Sequence, residues 1–360
     1  MRCASALASV AILAGLVAAH PGHDHAKEQA VRREFLQHTK NSLSHCSAKI
    51  KARGLEARNL KRREQLARDM AQKRGINLLN SRDLSDLNVS HLSTEDYDLS
   101  TSATELFSSN NSCVLSPEVT EGPYYVAGEY VRQNITDGQA GVDLTLDLQV
   151  LDIATCEPVV GVYTEIWHCN STGVYSGVSA NGNGNSATDT SNLDATFLRG
   201  IQQTDDDGVA LFDTLVPGHY TGRTTHIHVL VHQNATPAAN GTIVDLTASH
   251  VGQVFFDQSL ITEVEATSTY SVNTQPLMTN EEDGILLQEA ATSDPFIEYV
   301  LLGDTVEDGL LGWLAFGIDT NASSAYTVSA AATYYETGGE TNSNGGGAGG
   351  PPGGGGPGAK

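Results

Sequence analysis

From Asp143 to Val150 the chain alternates with a period of two, Asp143-Leu144-Thr145-Leu146-Asp147-Leu148-Gln149-Val150, so every second side chain is aliphatic and the intervening ones are polar. Such a period puts one face of a strand on a core and the other towards water. Residues 142–152 are therefore a half-buried strand. Strands are also predicted over 161–168, 209–215, 224–232, 250–257, 296–302, 310–318 and 326–335, each short, rich in β-branched or aromatic residues and bounded by Gly, Asn or Asp. No long helical period follows Gly75. The expected fold is all-β, a β-sandwich over residues 113–336.

The flanks read differently. Residues 1–19 join Arg2 to an apolar run ending Val17-Ala18-Ala19, the form of a cleaved signal peptide. Residues 20–75 hold runs of good helix formers with a stripe too sparse for an independent core. They are expected to be a basic helical extension or propeptide, with Lys73-Arg74 suited to a dibasic protease. Residues 76–112 read as a polar linker and 337–360 as a disordered Gly- and Pro-rich tail. A flexible loop is expected over Asn181–Ser186 and a turn at Asp205–Gly208.

Charge sharpens this division. The 360-residue chain carries a formal charge of −23, yet residues 20–75 contain 14 Lys and Arg against 6 Asp and Glu. A docking arm on the acidic domain is one reading of the extension. A solvated extension, or one that pairs two subunits as a homodimer, is the other. Nucleic acid is an improbable partner for an exported anionic domain, and no apolar run after the signal is long enough to span a membrane.

Seven Asn-X-Ser/Thr sequons, at Asn88, Asn110, Asn134, Asn170, Asn234, Asn240 and Asn321, agree with a secreted, extracellular glycoprotein. Asn170 is expected to hydrogen-bond inside the fold instead. Cys46, Cys113, Cys156 and Cys169 could form two disulfides in three connectivities. His20-Pro21-Gly22-His23-Asp24-His25 is a short tract that would suit copper or zinc only with support a terminal tail lacks.

The candidate chemistry lies between residues 165 and 231. His226 and His228 stand two apart in a strand, so both imidazoles leave on one face while Ile227 and Val229 leave on the other. Read alone, such a pair is more often a satisfied polar pair than a metal site. Tyr220 and Arg223 shortly precede it in Pro217-Gly218-His219-Tyr220-Thr221-Gly222-Arg223. Upstream stands Trp167-His168-Cys169-Asn170-Ser171-Thr172-Gly173-Val174-Tyr175.

The set W-x-x-N-x-x-G-x-Y, PG-x-Y and R-x-x-H-I-H resembles the signature of the intradiol ring-cleavage dioxygenases, the catechol, hydroxyquinol and protocatechuate enzymes. The resemblance covers about residues 113–335. It takes in Gly122-Pro123-Tyr124-Tyr125, Thr204–Val209 and Gln253-Val254-Phe255-Phe256. It implies one mononuclear non-haem Fe(III) held by Tyr175, Tyr220, His226 and His228, with Arg223 and Gln253 near the substrate. Tyr220, Arg223 and Gln253 would be the catalytic groups. It further implies a small aromatic diol and O2 as reactants and a cis,cis-muconic acid as product. Phenolates are hard, charged donors that neutralise and favour a ferric ion, which explains two tyrosines where a ferrous centre uses a carboxylate.

Two alternatives use the same residues. One is a zinc- or copper-dependent hydrolase, which needs an acidic base near Tyr220. The other is a secreted β-sandwich ligand-binding module, such as a sugar-binding one, with tyrosines stacking on the ligand and no metal. His168 is expected to be structural, pointing away from Trp167.

Overall fold

The protein is described here by a computed structural model covering residues 43–76, 122–290, 293–321 and 326–342. The expected signal peptide, the His-rich tract, residues 77–112 of the expected linker, Cys113 and residues 343–360 of the expected tail lie outside the described residues.

Eight strands form the body: β1 (Asp143–Asp152), β2 (Tyr163–Trp167), β3 (Arg199–Gln203), β4 (Val209–Leu215), β5 (His226–His232), β6 (His250–Phe255), β7 (Glu298–Leu301) and β8 (Leu310–Ile318). They make two four-stranded sheets, ordered β6-β5-β2-β3 and β7-β8-β1-β4. All pairings are antiparallel except β8 with β1, which run parallel. The aliphatic residues of β1, Leu144 to Val150, meet Ile166, Ile227, Val229 and Val254 of the other sheet in the core. The alternation that predicted β1 and the pattern around His226 thus both serve one β-sandwich.

β1 is not half-buried, however. Its polar residues after Asp143 are covered too, Asp147 at 0% and Gln149 at 1% exposure. The cover is α2 (Leu55–Arg74), which follows α1 (Ser47–Ala52) and lies across the outer face of β1 and β8. Arg62 reaches Asp147 at 2.8 Å, and the Asn59 amide donates to Gln149 Oε1 at 2.9 Å. Arg63 stacks 4.6 Å above Trp313, and Arg74 meets Asp143 at 2.7 Å. Burial pushes the Arg63 guanidinium down to about 10, against the pull of Asp147. The helix needs only a thin apolar stripe, which packs on Leu302, Leu311 and Trp313, because the rest of the surface it covers is polar.

A disulfide, Cys46–Cys156, ties this arm to the sandwich. Cys169 is free and buried, its thiol donating to the Gly218 carbonyl at 3.2 Å, so it takes no part in the two-disulfide scheme. Two short helices not foreseen, α3 (Gln258–Glu265) and α4 (Gly284–Ala290), follow β6. They span only two turns, too few for a helical period to stand out. The predicted strand over 326–335 divides into Tyr326–Thr327 and β9 (Ala332–Tyr335). Part of the expected tail is ordered: β10 (Gly338–Thr341) pairs antiparallel with β9. Backbone pairing holds these residues without a hydrophobic pattern. Among the described residues no helix is long and apolar enough to cross a membrane.

Glu129 is 2% exposed, 3.7 Å from Arg199. Burial raises its carboxyl to about 8, with Arg199 pulling the other way. The folded state then holds a proton that the unfolded chain releases, so this contribution to stability is full below the ordinary carboxylate pKa and fades as pH climbs to about 8. Glu129→Gln should flatten the melting temperature of metal-free protein across that window. A variant that keeps the parent's slope would refute this.

Candidate metal and diol site

The outer face of the β6-β5-β2-β3 sheet carries the candidate residues. In register, His228 lies between Trp167 on β2 and Gln253 on β6. Alternation then sends these three side chains and His226 to the face opposite Ile227 and Val229. The Trp167 ring stacks on the His228 imidazole with centroids 4.8 Å apart and planes 3° from parallel. His226 Nε2 and His228 Nε2 face one another at 3.1 Å.

The tyrosines come from loops over this face. Gly173 adopts φ +80°, and a Cβ there would run into the His219 carbonyl. Only glycine lets the 167–175 segment dock against the 217–223 turn. That contact brings the Tyr175 and Tyr220 rings to 5.5 Å, and Tyr220 Oη to 3.4 Å from His226 Nε2. Gly122 closes in from the third side, where a Cβ would lie 3.1 Å from His228 Cε1. Tyr124 packs 4.9 Å from Tyr175.

Two features of this pocket fit a cation. His226 Nδ1 lies 2.6 Å from the Thr224 carbonyl and must donate to it, which leaves Nε2 with its lone pair turned to the cluster. Burial, aided by Arg223, lowers its pKa to about 3, so the ring is neutral. Tyr175 Oη is buried beside the Tyr220 hydroxyl and makes no hydrogen bond of good geometry among the described residues. Burial raises both phenols well above their ordinary range, so a bound cation is what would favour the phenolates. Tyr175, Tyr220, His226 and His228 could hold it.

Arg223 and Gln253 also converge here. Arg223 is 1% exposed and donates through Nη2 to Gln253 Oε1 at 2.6 Å and through Nε to Asp283 at 2.8 Å.

The chain is similar to known proteins. A family model described as Dioxygenase matches residues 120–272. An intradiol ring-cleavage dioxygenase of Tetranychus urticae is 34% identical, over 59% of this chain and 98% of that one, with a TM-score of 0.47. This chain is an intradiol ring-cleavage dioxygenase family member. Catechol 1,2-dioxygenase of Pseudomonas arvilla C-1 is 19% identical over 55% of this chain and 60% of that one, with a TM-score of 0.34. A curated catechol 1,2-dioxygenase of Pseudomonas sp. (strain EST1001) is 41% identical over 66 residues, 17% of this chain and 22% of that enzyme's length.

This intradiol family member uses residues that motif reading passed over. Asp283 is 1% exposed; one oxygen accepts from Arg223 and from the Thr224 amide at 2.9 Å, and the other caps α4 at Ile285 and Leu286. It sits in the acidic stretch Glu281-Glu282-Asp283-Gly284, which reads as a solvated turn. Asn183, inside the expected flexible loop, is fully buried and bonds both the amide and the carbonyl of Tyr175 at 2.8 Å. That loop is a short helical turn held by its own amide side chains, a bonding pattern that composition hides.

Asn170 is half-buried: its Oδ1 accepts from Thr172 and Val174, and Nδ2 donates to Gln139 at 3.1 Å. A glycan on Nδ2 would crowd that contact. His168 is buried against Thr214 and the Cys169 carbonyl, in the structural role expected. His219 binds Glu265 at 2.7 Å and the Gln275 carbonyl at 2.8 Å, fastening the Tyr220 turn to the 258–275 segment.

Proposed function

We propose that this protein is a secreted, mononuclear non-haem ferric dioxygenase that opens a catechol-type aromatic diol between its two hydroxylated carbons. Both atoms of O2 enter the product, a cis,cis-muconic acid. Family membership supports the reaction class. The observation that carries the site is the facing set of two buried phenols and two imidazoles, with the Tyr175 hydroxyl turned to Tyr220 inside the buried cluster and the His226 tautomer held.

Fe(III) bound there would supply the Lewis acidity that draws electrons from a chelated diol and opens its ring to O2. Tyr220 Oη, at the 217–223 turn, is the group that takes a proton from the incoming diol, while Tyr175, its backbone clamped by Asn183, stays in place. Arg223 is held by Asp283 and Gln253 beside this set, where its fixed charge stabilises negative charge developing on the ring. Trp167, flat on His228, keeps that imidazole from rotating and keeps water from its face.

The hydrolase reading needs a free acid near Tyr220. Glu265 is bound to His219, and both Asp283 oxygens are engaged. The binding-module reading needs exposed tyrosines, whereas Tyr175 and Tyr220 are 0% and 4% exposed. Export, with removal of residues 1–19 and glycosylation at surface sequons, belongs to the same proposal and is supported by the Cys46–Cys156 disulfide.

The test is the visible spectrum of the purified protein with iron quantified, before and after catechol under nitrogen. A tyrosinate-to-iron charge-transfer band that shifts on catechol addition is expected. A protein that remains colourless after ferric loading would sink the metal site.

A further inference from the structure

Arg199 opens β3 directly opposite Trp167, is 1% exposed, and is absorbed by no part of the mechanism above. Its Nε donates to Ser176 O at 3.1 Å and to Ser176 Oγ at 3.0 Å. Its Nη2 donates to the same Ser176 carbonyl at 2.8 Å and to the Tyr124 carbonyl at 2.7 Å. Two nitrogens therefore fasten the residue after Tyr175 to the segment carrying Tyr124, the aromatic that packs on Tyr175. The guanidinium carbon also lies 5.9 Å from the centre of the Tyr175 ring.

A scaffold residue would need the hydrogen bonds but not the charge. An isolated buried cation is expensive, and the acid paired with it among the described residues, Glu129, stands at 3.7 Å with an oxygen that makes no hydrogen bond. The position of the charge under Tyr175 is what gives it an effect: a cation near the ring stabilises the electron-rich phenolate and weakens it as a donor.

We propose that Arg199 is a positioning residue for Tyr175, fixing the tyrosine through Ser176 and Tyr124 and tuning its phenolate with the buried charge. The inference rests on the reading of Tyr175 as a ferric ligand.

Two variants separate the fork from the charge. Arg199→Gln keeps hydrogen-bonding capacity and loses the charge. Arg199→Lys keeps the charge and loses the planar fork. Each is purified, loaded with Fe(III) and read for iron content, the position of the charge-transfer band, kcat and KM. In Arg199→Gln the band is expected to move to longer wavelength, because the tyrosinate becomes a stronger donor. In Arg199→Lys the band is expected to stay in place with iron retained, while kcat falls on the order of 10²-fold at little change in KM, as for an ångström-scale misplacement.

An iron-loaded Arg199→Gln protein with an unmoved band would overturn the electrostatic part. Parental kcat in Arg199→Lys would overturn the positioning part. If Arg199→Gln fails to accumulate, Arg199→Lys carries the decision: an unshifted band with slowed turnover supports the proposal, and a lost band or full turnover rejects it. A parent protein with iron bound but no band would instead remove the ligand reading of Tyr175, and this inference with it.

Discussion

His226→Ala and His228→Ala proteins should each emerge colourless and iron-free, with turnover reduced by on the order of 10³-fold or more. The magnitude follows from a metal that supplies several kcal/mol of charge stabilisation, at about 1.36 kcal/mol per decade. Each imidazole faces the other's Nε2 at 3.1 Å and neither is replaceable by water, since both residues are at most 2% exposed. Far-ultraviolet circular dichroism of the variants should match the parent, because the substituted side chains leave the opposite face of β5, with Ile227 and Val229, in the core. The measurement is iron per protein by elemental analysis. Full iron occupancy in both variants would sink the ligand assignment.

Asp283→Ala should be the most damaging change outside the proposed ligand set. Asp283 holds Arg223 in a pair whose partners are each 1% exposed, and removing one member of a buried pair typically costs about 3–5 kcal/mol. The pull of Arg223 and the Thr224 amide keeps its carboxyl below the ordinary range although burial pushes the other way. The same change uncaps α4 and releases the Thr224 amide at the start of β5, so the histidines lose their anchor as well. Chemical denaturation should show the lost stability, and Asp283→Asn, which keeps acceptor oxygen and shape, should lose less. Equal stability of Asp283→Ala and parent would refute the pairing argument.

The two histidines and two tyrosines were legible because each lies in a short local pattern. A period of two fixes the face of His226 and His228, and glycines at 173 and 218 mark where two segments must touch. Arg199 and Asp283 had no such signal: their partners stand 23 to 75 residues away, and an arginine in a strand or an aspartate in an acidic run has an ordinary surface explanation. β1 was read from alternation and the other strands of the sandwich from short β-branched or aromatic runs between turn residues, apart from β3, Arg199–Gln203, whose polar ends obscure the pattern. The arm posed the opposite difficulty. Asn59 and Arg63 occupy the buried stripe of α2, so hydrophobicity alone could not say which face docks or onto what.

The link between Cys46 and Cys156 spans 110 residues and encloses the Lys73-Arg74 pair. A cut anywhere in that interval would yield two polypeptides that still travel as one particle, with the short piece held by a covalent hinge and by the arginines of α2. In oxidising surroundings the arm would then survive its own excision, and only a reductant would set it loose.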